Sequence, residues 1–176
     1  MLKASDMLNN APPVKSGSPE VHRVLVVISD GDDNLSSHTR ADVIDALGRQ
    51  GVQVYTISTS VEWITPEESN DPSKKFDRKW GKTDGDNILQ QFADETGGRA
   101  FFPYHVDDVL QGFEDISVEL RSQYLLGYIP ANGLTDGKFR KVKIEVPGHK
   151  ELQIRTRKGY FAIAPSAAPT VSPTGN

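Results

Sequence analysis

Apolar residues cluster in this chain with two different periods. The densest run is Val24 to Ile28, VLVVI, followed at once by Ser-Asp-Gly-Asp-Asp-Asn at 29–34. A continuous apolar run that ends in a turn signal predicts a strand buried on both faces, as in parallel sheets. Thr39 or Ser37 can cap a following helix whose apolar face is Val43, Ile44 and Leu47, with Gly51 as its stop. Val52 to Ile57 is the next strand, so the order strand, helix, strand predicts a parallel pair. Further helices follow from Ile88, Leu89, Phe92 and Ala93, closing at Gly97-Gly98, and from Val109, Leu110, Phe113, Ile116 and Leu120 within 106–123. Ala100 to Phe102 reads as a short strand between them. Leu2, Ala4, Met7 and Leu8 have helical spacing, like the tail of a helix cut off at its start.

After residue 123 the period changes. Tyr124 to Ile129 reads as a strand, and Val142, Ile144 and Val146 alternate with Lys141, Lys143 and Glu145. Leu152 and Ile154 continue the alternation, and Asn132-Gly133, Asp136-Gly137 and Pro147-Gly148 are turn signals. The expected organisation is a helix remnant and loop over 1–20, an α/β part over 21–123, an antiparallel β extension over 124–163, and a disordered Pro/Ala/Ser/Thr-rich tail over 164–176. Between the second strand and the third helix lies a long polar segment that holds both tryptophans, Trp63 and Trp80. Such loops are uncommon and often functional.

Bulk properties narrow the function classes. A length of 176 residues suffices for one domain with a proper core. The net charge of −4 gives no global case for nucleic acid. The stretch Lys138 to Lys158 is basic, with eight Lys or Arg against two Glu. It reads either as the solvated face of a half-buried sheet or as a surface for an anionic polymer or membrane. There is no cysteine, hence no disulfide framework and no thiol chemistry. No apolar run approaches the ~18 residues of a membrane helix, and the first residues lack the pattern of a signal peptide. No Gly-x-Ser-x-Gly elbow, phosphate-binding glycine loop or HExxH occurs, and His22, His38, His105 and His149 lack ligand spacing. The chain is therefore expected not to be an enzyme.

The candidate chemistry sits at 29–34. Carboxylates at the carboxyl end of a parallel strand occupy the edge where open α/β sheets bind ligands. Their hard oxygens suit a cation such as Mg²⁺. Asp30 is the principal candidate ligand, with Ser29 and Asp32 beside it. This run resembles the third metal-site motif of von Willebrand factor A (vWA) domains. The ordered set RVLVVISDGDDN, GVQVYTIST, ETGGRAFFP and ELRSQYLLGYIP is similar to vWA-related proteins common in acidobacteria, over roughly Val21 to Ala162.

The resemblance implies a three-layer α/β sandwich with a largely parallel sheet, plus antiparallel strands. It implies a non-enzymatic protein-interaction or adhesion module that is exported to the periplasm, cell surface or medium. It further implies Mg²⁺ (or Mn²⁺ or Ca²⁺) held partly by Asp30, with an open position for a carboxylate from a protein partner. The chain departs from that pattern in one place. The family's Asp-x-Ser-x-Ser motif is absent, and only about twenty residues precede the Asp30 strand. The N-terminal half of the domain is thus expected to be missing and the metal site to be incomplete in this chain.

Other readings of the same residues stand beside this one. Ser-Asp-Gly also makes a turn for backbone reasons alone. A calcium loop starting at Asp30 fails, since its sixth position is Leu35 and its twelfth Ala41. Asp84-Gly85-Asp86-Asn87 reads as a helix cap. Trp63 and Trp80 either form a recognition face or cover a hydrophobic edge. A structural role is the second function class, in which an open sheet edge pairs with another segment or chain. A metal-dependent hydrolase using Asp30 is the third.

Overall fold

Two threonines start the helices that frame the sheet. In this computed structural model, which describes residues 1–11, 22–33, 36–60, 83–103, 105–149 and 151–162, Thr39 caps α2 (Arg40–Gln50) and Thr83 caps α3 (Asp84–Thr96). Each hydroxyl accepts from the backbone N–H three residues on, Asp42 at 3.2 Å and Asp86 at 3.0 Å. Each of those aspartates accepts in return from the threonine's own N–H. These reciprocal pairs satisfy donors that a helix start leaves open. Both helices end at a glycine in the left-handed region, Gly51 (φ 64°) and Gly97 (φ 81°), where a side chain would be strained.

Between these helices run β1 (Arg23–Ser29), β2 (Val52–Ser58) and, after α3, β3 (Ala100–Phe101). The sheet order is β1-β2-β3 and both pairings are parallel, with Val24 beside Gln53 and Ser29 beside Ser58. One face of the sheet packs Leu25, Val27, Val52 and Val54 against Leu47 of α2, Phe92 of α3 and Leu8 of α1 (Leu2–Asn9). The other packs Val24, Tyr55, Ile57 and Phe101 against Val109, Ile116 and Leu120 of α4 (Val106–Arg121). Helices on both faces of a parallel sheet make the expected three layers.

The expectation that β1 is buried on both faces is overturned. Among the described residues β1 lies at the sheet edge, and Val26 and Ile28 are 37% and 53% exposed. The physical reason is the position of α4, which covers β2 and β3 on that face but reaches β1 only at Val24, leaving Val26 and Ile28 uncovered by the described residues. Gly112 and Asp115 lie on its β3 side, the first against the Phe101 ring and the second paired with Arg99. A helical step of ~100° per residue places Leu110 and Phe113 on the opposite shoulder, toward β1. Both are exposed there.

The extension contributes a two-stranded antiparallel sheet, β4 (Phe139–Lys141) and β5 (Gly159–Phe161). Flanking bonds lengthen this ladder at Gly137–Ala162 and Val142–Lys158. The expected strand over Tyr124–Ile129 is not formed, and Val142–Val146 and Leu152–Ile154 are likewise outside the strands. Alternating side chains prepare a segment for a sheet, but a strand needs a continuous backbone partner, and among the described residues these stretches have no ladder beyond the single Val142–Lys158 bond.

The extension attaches to both helical layers. Arg155 pairs with Glu119 of α4 at 2.6 Å, and Lys158 with Glu95 of α3 at 2.7 Å. The Arg49 guanidinium lies 3.9 Å over the Phe161 ring. A Cβ on Gly97 would come within 2.4 Å of the Arg157 nitrogen, so this glycine also allows the extension to approach. The expected tail over 164–176 lies outside the described residues.

Candidate functional site

The carboxyl end of β1 turns sharply at Gly31, which has φ 83°. Asp30 and Asp32 are exposed on this turn, and Ser29 is half-buried beneath them. The turn is held from within. The Gly31 N–H donates to Ser29 Oγ at 3.0 Å, and the Asp32 N–H donates to Asp30 Oδ1 at 3.2 Å. It is also tied to the end of β2. The Thr59 N–H donates to the Ser29 carbonyl at 2.9 Å, and the Ser60 hydroxyl to the Asp30 carbonyl at 3.0 Å. Parallel pairing of Ser29 with Ser58 is what brings these two loops to one edge.

A third element closes on the turn. A Cβ on Gly85 would sit 2.1 Å from the Asp30 carbonyl oxygen, and one on Gly31 would sit 2.2 Å from that of Gly85. Two glycines therefore let the Asp30 turn rest directly on the first turn of α3. Beside them, Ser58 Oγ donates to Asp86 Oδ1 at 2.5 Å, and the other Asp86 oxygen accepts from the Thr83 N–H at 3.1 Å. Asp86 is buried and fully engaged in fixing α3 to β2. The cap at 84–87 is thus present, with Thr83 as the capping residue. Its links to Ser58 and to the Asp30 turn were not read from the sequence. The Thr83-x-x-Asp86 spacing was the only local signal for it.

The fit of a divalent cation can be judged from these groups. Asp30 offers one exposed carboxylate whose Oδ1 already accepts the Asp32 N–H, with Ser29 Oγ 3.4 Å away. The buried carboxylate nearby, Asp86, already accepts one hydrogen bond at each oxygen, from Ser58 and from the Thr83 N–H. Among the described residues no group of three or more His, Cys, Asp or Glu is placed to hold a metal ion. A hard divalent ion takes six or more oxygens. The described residues do not by themselves make that set. Trp63 and Trp80 lie outside the described residues.

The opposite end of the sheet carries a second polar cluster. Tyr55 is fully buried, and its hydroxyl donates to Glu119 Oε1 at 3.0 Å while accepting from Gln123 Nε2 at 2.8 Å. Burial, with the Glu119 carboxylate beside it, pushes the Tyr55 phenol well above the usual tyrosine range. Arg155 completes the network by pairing with Glu119.

No protein-family model matches the chain, and no curated protein matches it. Two solved structures are similar in part. One is an uncharacterized membrane-spanning protein from Vibrio fischeri, at 16% identity and a TM-score of 0.41 over 58% of this chain and 48% of that one. The other is an aerotolerance-related membrane protein from Bacteroides fragilis, at 20% identity and a TM-score of 0.44 over 69% of this chain and 59% of that one. This chain thus spans about half the length of the solved chains it matches. At these values the likenesses carry no argument about its function. Among the described residues, no helix is long and apolar enough to cross a membrane.

Proposed function

We propose that this chain is a non-enzymatic protein-association module whose contact surface is the open β1 edge, with the Asp30 turn at its end. The observation that carries this reading is the exposure of Val26 and Ile28 on a strand that has, among the described residues, a neighbour on one side only. A parallel sheet normally has both faces covered, and an uncovered apolar edge strand invites pairing. The vWA resemblance adds a cation to this picture. Asp30 would then share Mg²⁺ with oxygens supplied by the partner or by residues outside those described. The same resemblance supports a location outside the cytoplasm.

A photo-reactive amino acid at position 28 tests the reading in the source cells. Protein adducts are expected there in clear excess over a control at Lys3, an exposed residue of α1. Equal labelling at the two positions sinks the proposal. The cation version further expects the adducts to vanish with EDTA and with Asp30→Ala. Adducts that survive both treatments favour the second reading, a structural module without metal dependence. A hydrolase would instead show phosphate-ester turnover lost in Asp30→Ala.

A further inference from the structure

Four steps in the chain place a glycine directly after an aspartate or asparagine: Asp30–Gly31, Asp84–Gly85, Asn132–Gly133 and Asp136–Gly137. Such a step can react with itself, because glycine has no Cβ to keep its amide nitrogen away from the preceding side-chain carbonyl. Three of the four are restrained by their surroundings. The Gly31 N–H donates to Ser29 Oγ at 3.0 Å, and the Gly137 N–H to the Ala162 carbonyl at 2.9 Å. Both glycines are set in the left-handed region, at φ 83° and 71°. Gly85 lies in the first turn of α3, wedged against the Asp30 carbonyl. All three also follow an aspartate, whose carboxylate is a poor target for an electron-rich nitrogen.

Asn132–Gly133 has none of these restraints. It lies in the connection between Ile129 and β4, outside helix and strand, and both residues are exposed. The Gly133 N–H has no hydrogen-bond partner among the described residues, and its backbone is outside the left-handed region. The Asn132 carboxamide is already oriented, since its Oδ1 accepts the Leu134 N–H at 3.1 Å. That bond closes a turn around Gly133 and polarises the Cγ carbonyl.

We infer that Asn132–Gly133 is a self-modification site, at which the folded chain deamidates without an enzyme. The Gly133 nitrogen gives its proton to solvent and bonds to Asn132 Cγ, closing a cyclic imide. The charge that develops on Oδ1 during this addition is met by the Leu134 N–H. The Cγ–Nδ2 bond then breaks, and that nitrogen takes a proton from water and leaves as ammonia. Water opens the imide in either of two ways. Breaking the new Cγ–N bond gives an aspartate at position 132. Breaking the original peptide C–N bond gives an isoaspartate, with the main chain rerouted through Cγ. Overall a water enters, an ammonia leaves, and nothing is oxidised or reduced. Both reacting groups belong to one dipeptide, so no second chain or further segment takes part. Either product adds a negative charge to a chain whose net charge is −4, on the connection that leads into the basic stretch from Lys138. The modified form accumulates with the age of the molecule.

The test ages the full chain in mildly alkaline buffer, where the attacking nitrogen gives up its proton more readily. An acidic form is expected to build up in isoelectric focusing, and peptide mapping should locate it at Asn132. An isoaspartyl methyltransferase with labelled S-adenosylmethionine should methylate the aged chain and leave the fresh one unlabelled. Gly133→Ala should melt as the wild type does, since a Cβ there would meet nothing within 4 Å, and should lose most of the acidic form. Asp136→Asn supplies a second asparagine–glycine step in a restrained setting. In the folded variant the step at 136 should react many times more slowly than the step at 132, whereas in urea the two should react alike. Melting curves establish that each variant is folded during ageing. A folded wild type that stays unmodified at Asn132 while the urea-unfolded chain converts overturns the inference. So does an acidic form undiminished by Gly133→Ala, and so do equal rates at the two steps in folded Asp136→Asn.

Discussion

β1 and β2 are the same length, lie side by side in parallel, and differ little in apolar content. Val54, Tyr55, Thr56 and Ile57 are completely buried, yet Val26 and Ile28 face solvent. The difference is one of rank in the sheet. β2 has a strand on each side and helices on both faces, whereas β1 has, among the described residues, one neighbour and a second face covered only at Val24. Strand composition reports what a strand is fit for, and sheet order decides whether that fitness is used. At β1 it is unused within the described residues, which is why association is placed there.

Truncating equivalent residues of the two strands should give the largest contrast. Ile57→Ala is expected to destabilise by about 2–5 kcal/mol through a cavity in the core. Ile28→Ala should stay within about 1 kcal/mol in the monomer, measured as midpoints of urea unfolding. Equal losses would mean that β1 is covered in solution. Gly85→Ala comes next. Its new methyl would collide with the Asp30 carbonyl, so a loss of about 1–3 kcal/mol and a shift of the Asp30 amide signal are expected. Unchanged amide spectra would show that the turn does not rest on α3.

Thr83→Ala removes one cap and should cost about 1 kcal/mol, again by urea unfolding. Because the same residue positions Asp86, which binds β2, its effect should exceed that of Thr39→Ala. The reverse order would mean that the Asp86 link adds nothing. Tyr55→Phe should have the smallest effect at neutral pH, within about 1.5 kcal/mol. Its signature is in alkali. The folded Tyr55 holds its proton above the unfolded value of about 10, so its contribution is present below that pH and is lost as pH rises through the range above it. Stability of the wild type should therefore fall more steeply above pH ~10 than that of Tyr55→Phe. Parallel curves would contradict the raised phenol.

Much of the α/β part was legible because its signals are local. Thr39, Gly51 and Gly97 act on their immediate neighbours, and the alternation of strand and helix fixed the parallel pairing. What escaped is non-local. The meeting of Gly31 with Gly85 and of Ser58 with Asp86 joins residues far apart in sequence, and nothing around either glycine announces the other. The edge position of β1 escaped for the same reason. The Tyr124–Ile129 strand was expected from composition and is absent because composition supplies no partner. Asp30 was placed correctly at the carboxyl edge, on an exposed turn, but the oxygens that would complete a cation site there are not among the described residues.

The attachment of the extension to both layers also orders events in time. Glu95 belongs to one side of the sheet and Glu119 to the other, so Lys158 and Arg155 find both partners only once the helices have docked. Local strand–helix–strand contacts close short loops, whereas these pairs close long ones and bear a larger entropy of closure. The last stretch of chain is thus expected to lock in after the sheet has formed, gaining amide protection late in a pulsed-exchange refolding experiment. Its arrival then serves as a proofreading step, since a body with either layer misplaced offers it only half a foothold.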